Sequence, residues 1–183
     1  MPRSANKNWS SERRLEYIED QLATRGHFQR DDICNYFSCI MSIASGDIAE
    51  YVKRGGRIHI RTGFIEADGS FRKDSVRNQA KKYFFPDADH KPVLNTTPER
   101  QAAWTAIHAP ARNMKFWQID RRLDWIDDML ALGRVVTPEG ITAYFGAGSD
   151  AVGTLRDYNA LPGTDGRKRR STEARRAAWE VWG

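Results

Sequence analysis

The chain has 183 residues, with 29 lysines and arginines against 24 acids, a formal net charge of +5, and 40% hydrophobic residues. That balance suits one ordinary folded domain or two small ones and excludes a disordered chain. No apolar run approaches the ~20 residues of a bilayer span, the opening residues Met1 to Trp9 lack the apolar core of a secretory leader, and Cys34 and Cys39 cannot build a disulfide framework. A soluble cytoplasmic protein is expected, with no membrane association.

The first predicted helix opens at Ser10-Ser11-Glu12, carries Leu15, Ile18 and Leu22 at helical spacing, and stops at Arg25-Gly26. A short extended piece around Phe28 leads to Arg30-Asp31-Asp32 and a second helix with Ile33 and Phe37 on one side. After a turn over Ser38 to Met41, Ser42 is expected to cap a third helix with Ala44, Ile48 and Tyr51 inward. Gly55-Gly56 then precedes an alternating strand, Arg57 to Arg61; beyond Asp68-Gly69, Lys81-Lys82-Tyr83-Phe84-Phe85 can pair back as a β-hairpin wing. Pro86 to Pro92 reads as linker, and Thr97-Pro98-Glu99 caps a linker helix carrying Ala102, Ala103, Trp104, Ala106 and Ile107.

From Trp117 onward the pattern returns. Residues 9–37 and 117–145, compared at an offset of 108, share 11 identities in 29 positions, where ordinary composition gives about 2. They include Trp9/Trp117, Arg13/Arg121, Arg14/Arg122, Leu15/Leu123, Ile18/Ile126, Ile33/Ile141 and Phe37/Phe145. At an offset of 107, Ser42/Ser149, Ala44/Ala151, Gly46/Gly153 and Tyr51/Tyr158 follow, one residue having been lost between Phe145 and Ser149. The second copy uses Gly133 as a stop, Thr137-Pro138-Glu139 as a cap, Gly146-Ala147-Gly148 as a turn and Ser149 as the last cap. Its wing would be short, Pro162 to Arg169, and Ser171 would cap a final helix. Self-similarity of this kind is the signature of an internal duplication.

Three short helices with a tight turn between the last two have helix-turn-helix form. The expected fold is therefore mainly α with small β-hairpin wings, two tandem winged helix-turn-helix domains: copy 1 over 1–94, a linker helix over 95–114, and copy 2 over 115–183. The order of helix, short strand, helix-turn-helix and wing, followed by Lys81-Lys82-Tyr83 and His90-Lys91-Pro92-Val93, resembles the winged-helix heads of bacterial DeoR-like and WYL-type repressors, which include regulators of phage-defence loci. It covers roughly residues 9–94, with a weaker echo over 115–165, and a second winged helix stands where a WYL sensor domain would follow. The resemblance implies DNA binding and transcriptional control.

Catalysis has little to stand on. His27, His59, His90 and His108 are scattered, no phosphate-binding glycine loop occurs, and Cys34 and Cys39 read as small, buried or half-buried side chains. Asp31-Asp32 and Asp127-Asp128 look like metal pairs, but acids near helix starts and on solvated faces need no metal. No cofactor, metal site or enzymatic activity is expected.

Charge points instead to a polyanion. Residues 55–85 hold 7 basic and 3 acidic groups and residues 164–183 hold 6 and 3, whereas the two remaining stretches are neutral or acidic. The expected partner is double-stranded DNA, bound in a nucleoid-associated, sequence-specific regulator. Ser42, Ser45, Asp47, Ala49, Glu50 and Lys53 are expected to face outward from the third helix of copy 1, and Val152, Thr154, Arg156 and Asp157 from that of copy 2. Expected DNA contacts are Arg30, Ser42, Ser45, Lys53, Arg57, His59, Arg61, Lys81 and Lys82 in copy 1, and Ser149, Thr154, Arg156, Arg167, Lys168, Arg169 and Arg170 in copy 2. Gly46 and Gly153 suggest either close backbone approach to a partner or close packing of helix on helix, and Arg13-Arg14 and Arg121-Arg122 read as partners of acids along their own helices. Trp179 and Trp182 are expected to dock on Trp117 and Trp125; the alternative is a homodimer through the C-terminal helix. Two other functions fit the same elements, a winged-helix module that docks a protein such as a component of the transcription machinery, and a plasmid or phage replication initiator.

Overall fold

The computed structural model describes residues 9–74, 80–107, 117–146, 149–160 and 171–182. They are mainly helical, with a three-stranded antiparallel sheet. The chain divides into two compact units, Arg13–Thr96 on one side and Met1–Glu12 with Thr97–Gly183 on the other. Among the described residues no helix is long and apolar enough to cross a membrane.

In the first unit α1 (Trp9–Arg25) is followed by α2 (Arg30–Phe37) and α3 (Met41–Lys53). A capping box starts α2: Gln29 and Asp32 satisfy each other's backbone N–H. Ser38 ends it in the left-handed region at φ 50°. Ser42 does not cap α3. The N-cap is Ile40, without a side-chain hydrogen bond, and Ser42 lies exposed in the first turn. The three helices close on Leu15, Ile18, Ile33, Phe37, Ala44 and Tyr51, all nearly or fully inaccessible. Tyr17 stacks on Tyr36 at 4.9 Å at the edge of this core.

The sheet has the order β2-β1-β3, built from β1 (Ile58–Ile65), β2 (Phe71–Lys73) and β3 (Lys81–Pro86). β3 returns onto β1 as expected, with His59 opposite Phe85 and Thr62 opposite Lys82. The far half of β1 pairs on its other edge with β2, a strand the hairpin reading did not contain. The extended piece at Phe28 is also real. Phe28 and Phe84 exchange backbone hydrogen bonds of 3.1 and 2.8 Å, and their rings stack at 4.9 Å, tying the sheet to the helices.

Gly63 sits where β1 is paired on both edges, opposite Lys73 and Lys81. A Cβ there would fall on the carbonyl oxygen of Arg72 and the ring of Phe71. Gly63→Ala is therefore expected to cost about 1–3 kcal/mol by overpacking, read as a lower denaturant midpoint. Gly69→Ala tests the local alternative, since it meets nothing within 4 Å but holds φ +82° in the turn after β1.

The second unit contains the first turn of α1 together with α4 (Pro98–Ile107), α5 (Trp117–Ala131), α6 (Pro138–Phe145), α7 (Ala151–Ala160) and α8 (Glu173–Trp182). The expected linker helix falls at α4. α4 packs along α8 and buries Ala103, Trp104 and Ile107, so it is part of the core. Thr97 and Thr137 cap α4 and α6 as read from sequence. The other two caps shift by one residue. Asp150, not Ser149, accepts from Gly153 N ahead of α7, and Thr172, not Ser171, accepts from Arg175 N ahead of α8. The expected short wing and its cations Arg167, Lys168, Arg169 and Arg170 lie outside the described residues.

Trp179 and Trp182 are 2% exposed within this unit. Trp182 meets Trp104 at 4.7 Å and Trp9 at 5.9 Å, and Trp179 meets Tyr144 and Phe145. Their load is taken up by α4, α6 and the start of α1; Trp125 of α5 packs on the same Tyr144 and Phe145, and the Trp117 side chain lies outside the described residues. The acids of α5 are the larger departure. Asp124, Asp127 and Asp128 are fully buried, not solvated. Asp128 accepts from Arg175 Nε at 2.6 Å, Arg175 Nη2 at 2.9 Å and Trp179 Nε1 at 2.7 Å.

Candidate nucleic-acid interface

The expected contact residues of the first unit separate into three groups. Arg30 at the start of α2 donates from Nη1 to Ser45 Oγ at 3.1 Å, and Ser45 Oγ donates to the Met41 carbonyl at 2.8 Å. Arg30, Lys81 and Lys82 line one cleft of about 230 Å³ with Gln29, Asp31, Met41 and Phe84. Lys81 and Lys82 are exposed. The capping box aims Arg30 at α3, and the Phe28–Phe84 pairing brings the β3 lysines beside it. Arg30 and the distant pair Lys81-Lys82 thus meet beside Met41 at the N-terminal end of α3.

A second group is occupied by acids. Arg57 pairs with Asp89, His59 Nδ1 lies 2.8 Å from Asp87 Oδ1, and Lys53 lies 3.6 Å from Glu50. These exposed side chains are engaged within the unit, by acids that follow β3 or precede Lys53 by one turn. Arg61 forms the third group: its guanidinium lies 4.0 Å from the Phe71 ring centroid and 5.0 Å from that of Phe85. It remains exposed on an aromatic shelf.

Two residues read as outward are inward. Asp47 is 5% exposed and accepts from both Nε and Nη2 of Arg14, reaching from α3 to α1. It therefore presents no repulsive charge to a ligand on α3. Thr154 is 2% exposed; its hydroxyl accepts from Arg122 Nε at 2.9 Å and donates to the Asp150 carbonyl at 2.6 Å. Arg156 stays exposed on α7, 3.6 Å from Asp157, and Ser149 is half-buried before it. Gly46 has open space where a Cβ would sit, whereas a Cβ at Gly153 would strike the Asp150 carboxylate that caps α7.

The same bonds recur at equivalent places in the two units. Tyr51 OH donates to Glu19 Oε2 at 2.8 Å, and Tyr158 OH donates to Asp127 Oδ1 at 2.8 Å. Arg14 reaches Asp47, and Arg122 reaches Thr154. Arg13 pairs with Glu16, and Arg121 with Asp124, both three residues on. The Arg13–Glu16 and Arg121–Asp124 pairs follow the along-the-helix reading; Arg14 crosses to α3 and Arg122 to α7. Burial and the adjoining Glu19 push the Tyr51 phenol well above its ordinary range, which keeps it a donor. Glu19 also accepts from the backbone N–H groups of Val93 and Leu94, pinning the segment after β3.

Sequence reasoning missed Arg14–Asp47, although Asp47 stands three residues after Ala44 and four before Tyr51, on the stripe already taken as inward. It also missed that Ile40, Met41 and Ile43 are 67%, 49% and 43% exposed. Cys34 and Cys39 are half-buried, and burial pushes the Cys39 thiol up to about 11, far from a reactive thiolate. Among the described residues no group of three or more His, Cys, Asp or Glu side chains is placed to hold a metal ion. No family model, curated protein or solved structure matches the chain.

Proposed function

We propose that Arg13–Thr96 is a winged helix-turn-helix module that binds double-stranded DNA, and that the chain is a sequence-specific transcriptional regulator, a repressor, built by internal duplication. One observation carries the DNA reading: Arg30, Lys81 and Lys82 converge on the exposed N-terminal end of α3. The side chains at the start of a recognition helix read base edges while flanking cations hold phosphates. The order of three helices, the Phe28 bridge and the returning strand suit this module. The matched Tyr51–Glu19 and Tyr158–Asp127 bonds support the duplication, because side-chain bonds at equivalent positions need both the residues and the packing to correspond. Arg156 is the second module's exposed candidate for a base edge.

Fluorescence anisotropy of the full chain with random-sequence duplexes tests the reading. Binding is expected to weaken as salt rises, log affinity falling by about 0.9 per log unit of salt for each phosphate neutralised. Selection from a duplex library is expected to enrich one sequence over the pool. Absence of binding at low salt overturns the proposal.

A further inference from the structure

We infer that the exposed start of α3 recognises thymine methyl groups in the major groove, an inference that rests on the duplex-binding reading above. Ile40, Met41 and Ile43 stand 67%, 49% and 43% exposed around the first turn of α3. Large apolar side chains grouped at one solvent-facing turn mark an interaction surface. Opposite the buried stripe of Ala44, Asp47, Ile48 and Tyr51, α3 presents Ser42, Gly46, Ala49 and Lys53.

The chemistry of this surface narrows what it can read. From Met41 to Lys53 there is no Arg, Asn or Gln, the side chains that make paired hydrogen bonds to guanine or adenine edges. Its one Lys stands at the last position of the helix, beside Glu50. The apolar feature of a base edge in the major groove is the C5-methyl of thymine, and apolar side chains are its ordinary contacts. Charge complementarity sets the occupant. Arg30, Lys81 and Lys82 flank the turn on the Met41 side, with Asp31 the acid that shares their cleft. An apolar protein surface would desolvate these cations without a partner, whereas a duplex offers phosphates beside methyl groups.

Gly46 adds an independent argument. It is exposed within α3, its φ is not positive, and a Cβ there would meet nothing within 4 Å. Nothing inside the unit requires glycine, which weakens a helix relative to alanine. Its bare backbone serves close approach by something outside, next to the turn that carries Ile43.

The test uses the full chain and the duplex recovered by selection from a random library. That duplex is expected to be rich in thymine where α3 binds. Replacing its thymines by deoxyuridine removes only methyl groups and is expected to weaken binding about fourfold for each methyl buried. Met41→Ser and Ile43→Ser together are expected to abolish the thymine–uracil difference while leaving the salt dependence intact. Gly46→Ala is expected to raise the melting temperature and still weaken binding. Equal affinity for the thymine and uracil duplexes overturns this inference alone, as does a double variant that keeps the difference. Failure to bind any duplex overturns both readings and assigns the apolar turn to a protein partner.

Discussion

Replacing Arg30, Lys81 and Lys82 together by alanine is expected to lower affinity for duplex DNA about a hundredfold and to flatten its salt dependence. At roughly 1 kcal/mol per exposed cation–phosphate pair, three pairs amount to about two orders of magnitude. The slope of log affinity against log salt should fall by about 2–3, close to 0.9 for each phosphate released. The loss should be similar for all sequences, because phosphate contacts carry no sequence information. Arg57→Ala removes one positive charge from a side chain already paired with Asp89 and is expected to change the slope little. A triple variant with an unaltered slope would sink the assignment of the cleft. A slope change from Arg57→Ala of about a third that of the triple variant, one charge against three, would mean that net charge, not the placement of three cations, governs binding. Stability is a control here, since Lys81 and Lys82 are exposed and Arg30 gives up one bond to Ser45.

Asp128→Ala is expected to destabilise the second unit by about 3–5 kcal/mol, the usual cost of leaving a buried charge without its partner. The residue is 0% exposed and its carboxylate holds both Arg175, 2% exposed, and the indole N–H of Trp179. Arg175→Met is expected to cost a similar amount by taking the guanidinium away from the buried Asp128. The double change Asp128→Leu with Arg175→Met should recover much of the loss, because apolar groups of similar volume avoid the desolvation penalty of both ions. All six tryptophans of the chain fall in Met1–Glu12 or Thr97–Gly183. Tryptophan fluorescence during denaturation therefore reports this unit, and duplex binding by Arg13–Thr96 serves as the other readout. A single variant that unfolds at the wild-type denaturant concentration would show that the buried pair contributes nothing net.

How far a sequence reveals a site depends on which contacts make it. Ser42 and Ser45 were legible because helical spacing leaves them off the stripe of Ala44, Ile48 and Tyr51. Arg57, just before β1, and His59 within it were legible as exposed, but not as partners of Asp89 and Asp87, which depends on the chain beyond β3 running back past β1. The apolar turn at Ile40 to Ile43 was not recognised, since an apolar residue at a helix start is usually read as core until neighbouring elements are seen to leave it uncovered.

By itself the sequence determined what is local and periodic. Apolar spacing marked α1, α2 and α3 and likewise α5, α6 and α7, Thr97 and Thr137 marked two helix starts, and alternation marked β1. Repetition predicted that corresponding residues would be buried alike, as at Ile33 and Ile141 or Phe37 and Phe145. These signals survive in one dimension because a helix or strand repeats its facing every few residues. Only the tertiary structure decided which charges are internal and which are free to meet a ligand. Asp47 turns inward because Arg14 of α1 stands across from it, Asp128 is buried because α8 brings Arg175 and Trp179, and α4 is core because α8 covers it. A carboxylate is tolerated in a core only where a partner arrives from another element. Sequence spacing does not encode that arrival, and the same packing, through Phe28 on β3, set Lys81 and Lys82 beside Arg30.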